Sequence, residues 1–385
     1  MSSLPPPSPE ALAHSACLAE AIRNEIAQAG GWLNFARYME FALYAPGLGY
    51  YSAGSVKLGE DGDFVTAPEI SSLFGRCVAR QAAQVLAEVG GGSVLELGAG
   101  SGKLTVDVLS ELDRLEQLPE RYCILEVSGD LRARQQRLIQ ADLPPALAGR
   151  VSWFDALPET FAGVVLGNEV LDAVPVHLVA WTNEGLFERG VEFEDGRFAW
   201  RDQPLAEGPL LEAASPIDVL PEHLSEISLA ANGLVTSLAR MLEKGAVILV
   251  DYGFPRREFY HPHRAQGTLM CHYRHQSHDD PLIYPGLQDI TAHVDFTAVA
   301  EAAIDGGASL MGYCSQTQFL INCGITNFLS EVSPSDAAAY LPLAAQAQKL
   351  LSPAEMGELF KAIAFGKGLK QPLLGFAGGD KRHTL

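Results

Sequence analysis

Apolar positions along the chain first follow a helical period. Residues 11–30, and again residues 71–89, place hydrophobic side chains three and four positions apart, which predicts two amphipathic helices. Glycines 90–92 end the second helix. A connector dense in Gly, Tyr and Asp, residues 44–69, joins the two. The start of the chain therefore predicts a helical N-terminal region.

After the three glycines, the pattern changes to short apolar strands that alternate with helical segments. The predicted strands are residues 94–97, 124–127, 151–154, 164–166 and 247–250. Strands that alternate with helices pair in parallel, and the helices cover both faces of their sheet. The chain therefore predicts an α/β fold with a doubly wound, Rossmann-like sheet.

Two segments interrupt this alternation. Residues 177–209, the start of an insertion at about 177–228, show the period of two and the turn residues of a β-hairpin. Residues 254–289 are rich in His, Pro, Tyr and Arg. Because long insertions in α/β sheets emerge at the strand ends where ligands bind, we expect the second segment to form a lid.

The length of 385 residues and the hydrophobic content of 48% allow a large buried core. We expect one main domain with additions. The predicted division is a flexible proline-rich tail at 1–10, the helical region at 11–90, and a main domain at 91–385 that carries both insertions.

The formal net charge of −20 argues against a nucleic acid as the main partner, because such a surface needs a field of Lys and Arg. An acidic protein suits a basic substrate better. Net charge bears mainly on solubility and association, however, so it serves only to decide between otherwise equal hypotheses.

The chain starts without the basic residues and apolar run of a signal peptide, and it contains no run of 18 apolar residues. The six cysteines form no Cys-x-x-Cys pair, which fits a reducing compartment. We expect a cytoplasmic protein that does not insert into membranes.

A glycine-rich turn joins the first predicted strand to a helix that begins near Lys103. Gly98, Gly100 and Gly102 alternate after Glu96, and each allows a tight turn or close approach to a ligand. A nicotinamide site needs a further glycine or alanine where Lys103 stands. The acidic residue before Gly-x-Gly-x-Gly resembles motif I of class I methyltransferases, and this resemblance implies S-adenosylmethionine as cofactor.

Acidic residues also follow the next two strands. Glu126 lies where a carboxylate can accept hydrogen bonds from both ribose hydroxyls, and its alternative is a solvated acid at a strand end. Asp155 resembles the acid that meets the adenine amino group, and its alternative is a helix cap or turn residue.

Four sequence blocks resemble the MidA family of methyltransferases. They are residues 62–71 (GDFVTAPEIS), 167–175 (GNEVLDAVP), 251–253 (DYG), and 267–275 (GTLMCHYRH), the last continuing through 280–281 and 288–296. The family commonly shows a tyrosine before Arg-x-His, whereas in this chain His275 directly follows Arg274. The mitochondrial member is a protein arginine methyltransferase that assists assembly of respiratory complex I. The resemblance thus implies methylation of arginine in a partner protein, with a respiratory complex subunit as one acceptor.

The resemblance also implies roles near the cofactor. The block with Asp63, Phe64, Thr66 and Glu69 would cover the cofactor, and its alternative is a rigid turn that seats the following helix. Asn168 could contact the methionine end of the cofactor through its amide.

Two carboxylates, Glu169 and Asp172, stand just past the fourth strand, where the methyl group is expected to emerge. Carboxylates there can hold a guanidinium in bidentate fashion and draw its charge away from the attacking nitrogen. The alternative is that they open a helix, because acids favour a helix N-terminus. Their joint presence favours catalysis over a cofactor-binding protein without activity.

His293 could accept the proton that leaves the acceptor, since an imidazole titrates near neutral pH. Thr291, His293 and Asp295 precede the helical run 296–303, so one of the three should cap that helix.

Several alternatives remain open at this point. The histidines of the second insertion, together with Cys271, lack the partner spacing of a zinc site, so we predict no metal. A partner-binding assembly factor that holds the cofactor, a nicotinamide oxidoreductase, and a methyltransferase of small molecules or other peptide groups are the rival functions. The oligomeric state is open, and a homodimer is one possibility.

Overall fold

A computed structural model of the chain describes residues 4–53 and 65–385. The chain divides into two compact units, each built from three segments. The first takes residues from 1–64, 171–233 and 256–294, and the second comprises 65–170, 234–255 and 295–385. These boundaries do not follow the continuous ranges predicted from the sequence, because both insertions join the first predicted helix in one unit, whereas the second predicted helix, residues 71–89, belongs to the other.

Helices and strands are numbered here in chain order. In the described residues, the α-helices are α1 (Pro9–Gln28), α2 (Phe35–Tyr44), α3 (Ala67–Ile70), α4 (Ser72–Val89), α5 (Lys103–Arg114), α6 (Gly129–Asp142), α7 (Pro145–Ala148), α8 (Pro209–Ala214), α9 (Leu229–Met241), α10 (Arg256–Phe259), α11 (Phe296–Asp305), α12 (Gln316–Asn322), α13 (Ile325–Leu329) and α14 (Ala337–Leu351). The strands in the same residues are β1 (Leu33–Asn34), β2 (Ser93–Leu97), β3 (Tyr122–Leu125), β4 (Val151–Phe154), β5 (Phe161–Asn168), β6 (His177–Thr182), β7 (Gly185–Glu194), β8 (Arg197–Pro204), β9 (His223–Ile227), β10 (Leu242–Phe254), β11 (Met270–Tyr273), β12 (Gln276–His278), β13 (Asp289–Thr291), β14 (Val294–Asp295), β15 (Ser309–Ser315) and β16 (Phe360–Lys367).

The second unit contains a path of seven strands in the order β15-β16-β10-β5-β2-β3-β4. The five strands from β10 to β4 run parallel to their neighbours. β16 is antiparallel to both β10 and β15. The predicted doubly wound sheet is confirmed, and β15 and β16 extend it beyond the five strands expected from the sequence.

Buried helices cover this sheet. The N-cap of α4 is Ser71, whose hydroxyl accepts from the Leu73 N–H, and its C-cap is Gly90 in the left-handed conformation with φ of 87°. α4 and α5 approach so closely that a Cβ at Gly75 would overlap the Asp107 side chain. Both helices bury leucine and valine side chains in one apolar core with the central strands.

The first unit contains an antiparallel sheet in the order β1-β7-β6-β9, with β8 also paired to β7. The two-residue turn at 183–184 joins β6 to β7, and the turn at Asp195 and Gly196, with φ of 50° and 80°, joins β7 to β8. The segment predicted as a hairpin is therefore a three-stranded meander, because both turn signals form turns.

The helices α1 and α2 complete the core of the first unit. Their buried side chains, among them Leu18, Phe35 and Tyr38, pack with residues of β6, β7, β11 and β13. Ser8 caps α1 by accepting from the Ala11 N–H, so residues 9 and 10 belong to the first turn of α1.

The second insertion holds α10, the 3₁₀ turn Pro262–Arg264, and a three-stranded sheet in the order β12-β11-β13. Its role as a lid stays a prediction. Of the helices that the structure describes, none combines the length and apolar character needed to cross a membrane.

A row of glycines crosses β5, β10 and β16 where their backbones approach closely. A Cβ at Gly245 would overlap the Gly163 carbonyl oxygen, and φ of 135° at Gly245 is itself unfavourable for other residues. Since both obstacles are backbone, a neighbouring side chain cannot relieve them by changing rotamer.

We therefore expect Gly245→Ala to lower the free energy of unfolding by about 3 kcal/mol or more, combining overpacking with backbone strain. Gly233→Ala is the matched control, because its Cβ would meet nothing within 4 Å and it lies inside α9. The free energy of unfolding of that variant should exceed that of the wild type by about 0.5–1 kcal/mol. Chemical denaturation of both variants measures the difference, and equal stabilities would contradict the close approach.

Candidate active site

The candidate site lies at the carboxyl ends of β2, β3, β4 and β5 in the second unit. β3 and β4 follow β2 on one side, and the chain then crosses to place β5 and β10 on the other side. The strand order therefore reverses between β2 and β5. Such a reversal opens a crevice for ligands. Leu97 at the end of β2 pairs with Gly167 of β5, and a Cβ at Gly98 would lie 3.7 Å from a Val170 methyl group. The turns that follow the two strands are therefore in contact.

The glycine turn has the backbone that its sequence requires. Gly98, Gly100 and Gly102 have φ of 56°, 55° and 93°, a region that residues with a Cβ rarely adopt. Gly102 is the N-cap of α5 and has no side chain, and the Lys103 N–H donates to the Ser101 hydroxyl oxygen at 3.2 Å. The start of a helix favours polar or anionic ligand groups. Lys103 is the first residue of α5, as predicted.

Glu96 is a buried residue of β2, with 2% of its surface exposed. Its Oε2 accepts hydrogen bonds from the hydroxyls of Thr105 and Tyr122, each at 2.6 Å. Burial raises the pKa of Glu96 to about 7. The carboxyl group therefore connects β2 to β3 and α5 beneath the glycine turn.

Glu126 directly follows β3 and is also buried. Its Oε1 accepts from the Ser128 N–H at 2.9 Å, and its Oε2 accepts from Gln135 Nε2 at 2.9 Å. Burial raises the pKa of this carboxyl group. The two hydrogen bonds hold the carboxylate at the edge of the sheet where the sequence predicts a ribose.

Gln135 of α6 has no counterpart in the sequence prediction. Its amide contacts Glu126, the Gly100 carbonyl oxygen and the Trp153 indole. A lone glutamine in a polar helix carries no motif, and only the three-dimensional contacts distinguish it.

Two exposed residues, Val127 and Asp155, follow β3 and β4. Val127 follows Glu126 and is 76% exposed, which is unusual for a valine and was not singled out from the sequence. Asp155 follows β4, and its exposed carboxylate accepts from Arg132 Nη1 at 2.8 Å. The structure therefore gives Asp155 an ion pair, and an adenine contact stays a prediction.

Asn168 and Glu169 lie at the end of β5. The Asn168 amide donates to Glu169 Oε1 at 2.9 Å, while its own Oδ1 is buried and has no hydrogen-bond partner among the described residues. Glu169 has φ of 52°, an uncommon conformation for a residue with a side chain, and its N–H donates to the Val250 carbonyl. The backbone is thus held in a strained conformation that fixes the direction of the Glu169 side chain.

The segment before α4 also lies against these turns. The Ala67 N–H donates to Glu169 Oε1 at 3.4 Å, and the Ser101 hydroxyl donates to Glu69. Thr66 is the N-cap of α3, without a side-chain cap bond. Asp63 and Phe64, named in the same predicted block, lie outside the described residues.

The other two predicted catalytic residues belong to the first unit. Asp172 is 2% exposed, and its carbonyl accepts from the Ala292 N–H at 3.0 Å. The His293 N–H donates to the Thr268 hydroxyl oxygen at 3.0 Å. The hydroxyl of Thr268 in turn donates to the buried carboxylate of Glu226. The expected helix cap is Asp295, which accepts from the first N–H groups of α11.

The histidines of the second insertion form local contacts. His261 Nδ1 accepts from the His263 N–H at 3.2 Å, and His278 Nδ1 accepts from the Asp280 N–H at 3.3 Å. Over residues 4–53 and 65–385, no group of three or more His, Cys, Asp or Glu is arranged to hold a metal ion.

The fold and the site together define a class I S-adenosylmethionine-dependent methyltransferase. A doubly wound sheet, a left-handed glycine turn at the switch point and a buried acid after the next strand form a cradle for an adenosyl cofactor. Asn168 Oδ1 at the end of β5 is buried without a hydrogen-bond partner among the described residues, and α5 begins after a glycine N-cap.

Comparison with known proteins gives the family. A family model of S-adenosyl-L-methionine-dependent methyltransferases matches residues 77–314. A crystal structure from Burkholderia thailandensis bound to S-adenosyl-homocysteine is 53% identical, covers all of both chains and has a TM-score of 0.96. The chain belongs to the MidA family of S-adenosylmethionine-dependent methyltransferases.

Curated relatives include the mitochondrial protein arginine methyltransferase NDUFAF7 of Danio rerio. It is 30% identical, and the match covers 86% of this chain and 83% of the relative. The Drosophila melanogaster homologue is 28% identical, with 94% and 88% covered.

The raised pKa of Glu96 predicts a stability change with pH. Because the folded-state pKa of about 7 exceeds the ordinary 4.5, the folded protein retains this proton to higher pH than the unfolded chain does. The contribution to stability is therefore present below about pH 4.5 and is lost as pH rises toward 7.

Glu96→Gln should remove this dependence. At each pH, urea denaturation gives the free energy of unfolding of the variant minus that of the wild type. This difference should rise by up to about 3 kcal/mol between pH 5 and pH 8. Glu355→Gln, at an exposed position, is the control and should show no such trend. A difference between Glu96→Gln and wild type that stays constant with pH would refute the assignment.

Proposed function

We propose that this protein transfers a methyl group from S-adenosylmethionine to an arginine nitrogen of a partner protein. The observation that carries the proposal is Glu169, a carboxylate fixed by a strained backbone beside the turn that follows β2. The names of the NDUFAF7 relatives support arginine as acceptor. The acidic charge of the chain suits a basic acceptor segment.

In this proposal, the glycine turn and the start of α5 bind the methionine end of the cofactor, with Asn168 beside them. Glu126 accepts hydrogen bonds from the ribose hydroxyls. Val127 offers an exposed apolar surface on which a flat adenine ring can pack. Together these residues hold the cofactor and leave its methyl group facing the acceptor.

Glu169 binds the acceptor guanidinium. Its Oε1 is held by the Asn168 amide and lies near the Ala67 N–H, so the carboxylate has a defined direction. A guanidinium next to a carboxylate is oriented by charge-assisted hydrogen bonds, and its positive charge shifts toward the nitrogens that contact the carboxylate. The remaining nitrogen is then the better nucleophile, and holding it close and in line supplies most of the catalysis.

Methyl transfer to a protonated arginine side chain releases one proton. The acceptor nitrogen forms a bond to the methyl carbon as the carbon–sulfur bond breaks, and the sulfur keeps the electron pair. The methylated guanidinium releases to solvent water the proton that the free arginine carried on that nitrogen. A carboxylate at this position stabilises the cation before and during that loss.

Further roles extend this proposal. Asp172 and His293 stay predicted catalytic residues. A subunit of a respiratory complex is the acceptor suggested by the family resemblance, and the cytoplasm is the proposed compartment. Methylation of a small molecule, and a binding role without catalysis, are the outcomes against which the proposal is tested.

Transfer of labelled methyl groups tests the acceptor directly. The protein, labelled S-adenosylmethionine, and a lysate of cells that lack its gene are incubated together, and the labelled products are hydrolysed to amino acids. We expect label in methylarginine from a discrete protein band. Label in small molecules or in base-labile esters would refute arginine methylation, and binding of S-adenosylhomocysteine with no transfer would favour the assembly factor.

Glu169→Gln should lower the transfer rate about 100-fold or more, because the amide cannot hold the guanidinium charge. The dissociation constant of S-adenosylhomocysteine should change less than about 3-fold, since the proposed contact is with the acceptor. Exposed Glu159 gives the matched control, Glu159→Gln, which should keep the wild-type rate. Full activity of Glu169→Gln would refute the carboxylate role.

A further inference from the structure

We propose that Gln135 is a positioning residue of the cofactor site, whose side-chain amide holds the glycine turn and the Glu126 carboxylate in one fixed arrangement. This inference rests on the proposed role of Glu126 as the ribose-binding acid. It adds a residue outside the motifs after β2 and β3, and it predicts a pH dependence that those motifs alone do not.

The amide nitrogen of Gln135 makes two hydrogen bonds in different directions. It donates to the Gly100 carbonyl oxygen at 3.0 Å and to Glu126 Oε2 at 2.9 Å. A primary amide has two N–H groups, so both bonds can form at once. One side chain thus connects the turn after β2 to the acid after β3.

The orientation of the amide is set by a third residue. The Trp153 indole N–H of β4 donates to Gln135 Oε1 at 2.9 Å. An indole can only donate, so the oxygen must face Trp153 and the nitrogen must face Glu126 and Gly100. Gln135 is fully buried, and a reversed amide would therefore leave three pairs of like groups in contact, its oxygen against two acceptors and its nitrogen against one donor.

Close packing brings α6 to the glycine turn. A Cβ at Gly102 would lie 3.3 Å from the Gln135 Cα, which is closer than most real contacts of a Cβ. The absence of that side chain lets the helix approach, and the approach brings the Gln135 amide within reach of Gly100.

The neutral charge of the amide matters for ligand binding. Glu126 also accepts from the Ser128 N–H, so both its oxygens are held by donors that carry no charge. These neutral donors leave spare lone pairs on the carboxylate for hydroxyl donors. A second carboxylate at position 135 would instead compete for a proton shared with Glu126.

Gln135→Glu tests this arrangement by calorimetric titration of S-adenosylhomocysteine between pH 6 and pH 9. At low pH a shared proton can replace one amide N–H, and at high pH the two carboxylates repel. We expect the ratio of the variant to the wild-type dissociation constant to rise about 10-fold or more over this range. Gln140→Glu makes the same charge change at an exposed position of α6 and should give a flat ratio near one.

A double-mutant cycle keeps the inference testable if Gln135→Glu folds poorly. Trp153→Phe removes the indole donor and should weaken binding of S-adenosylhomocysteine about 3- to 10-fold in the wild type. In a Gln135→Leu background, the same change should have almost no effect, because the amide that Trp153 orients is gone. Additive effects, or a pH-independent Gln135→Glu ratio, would overturn the proposal.

Glu126→Gln separates this inference from the role proposed for Glu126. If Glu126→Gln leaves binding of S-adenosylhomocysteine unchanged, the ribose-binding role fails. If it weakens binding while both Gln135 tests give the null result, only the positioning role of Gln135 fails.

Discussion

The parallel pairing of β2 with β5 is the constraint on which the candidate site depends. The two strands are distant in sequence, and their register places Leu97 beside Gly167. After these two strands, the chain turns at the same edge of the sheet, once through left-handed glycines and once through Glu169 with φ of 52°. A shift of one residue in this register would turn every side chain of one strand to the opposite face and separate the two turns.

Around this edge, the protein buries acids in an already acidic chain. Glu96 and Glu126 are both almost inaccessible, and burial raises the pKa of each. Their hydrogen bonds come from hydroxyl, amide and backbone donors, not from Lys or Arg. Neutral donors fix the carboxyl groups in place without supplying a compensating positive charge, which is why burial raises both pKa values.

The sequence predicted those helices, strands and turns whose conformation depends on neighbouring residues. Strand β4 and the ends of α4 follow from apolar runs bounded by turn residues, and the left-handed glycines follow from the spacing of Gly98, Gly100 and Gly102. Asp295 was among three candidates for a cap, and its contacts select it.

Features that depend on tertiary contacts were not accessible in this way. β16 contains a short apolar run, residues 362–365, and its direction in the sheet is set by pairing with β10 and β15. Periodicity carries no information on pairing. The importance of Gln135 depends on three partners from three strand ends. The division into units depends on which long segments share a core, because 171–233 and 256–294 contact helices from the start of the chain.

The position of β16 has a consequence for how the sheet forms. This strand is the last of the sheet in sequence, yet it lies between β10 and β15. Until residues 360–367 are synthesised, β10 and β15 each present an unpaired edge and cannot pair through their native neighbour. The sheet of the second unit can therefore be completed only after residue 367 has left the ribosome, and a translation product interrupted before that point would carry two exposed strand edges prone to aggregation.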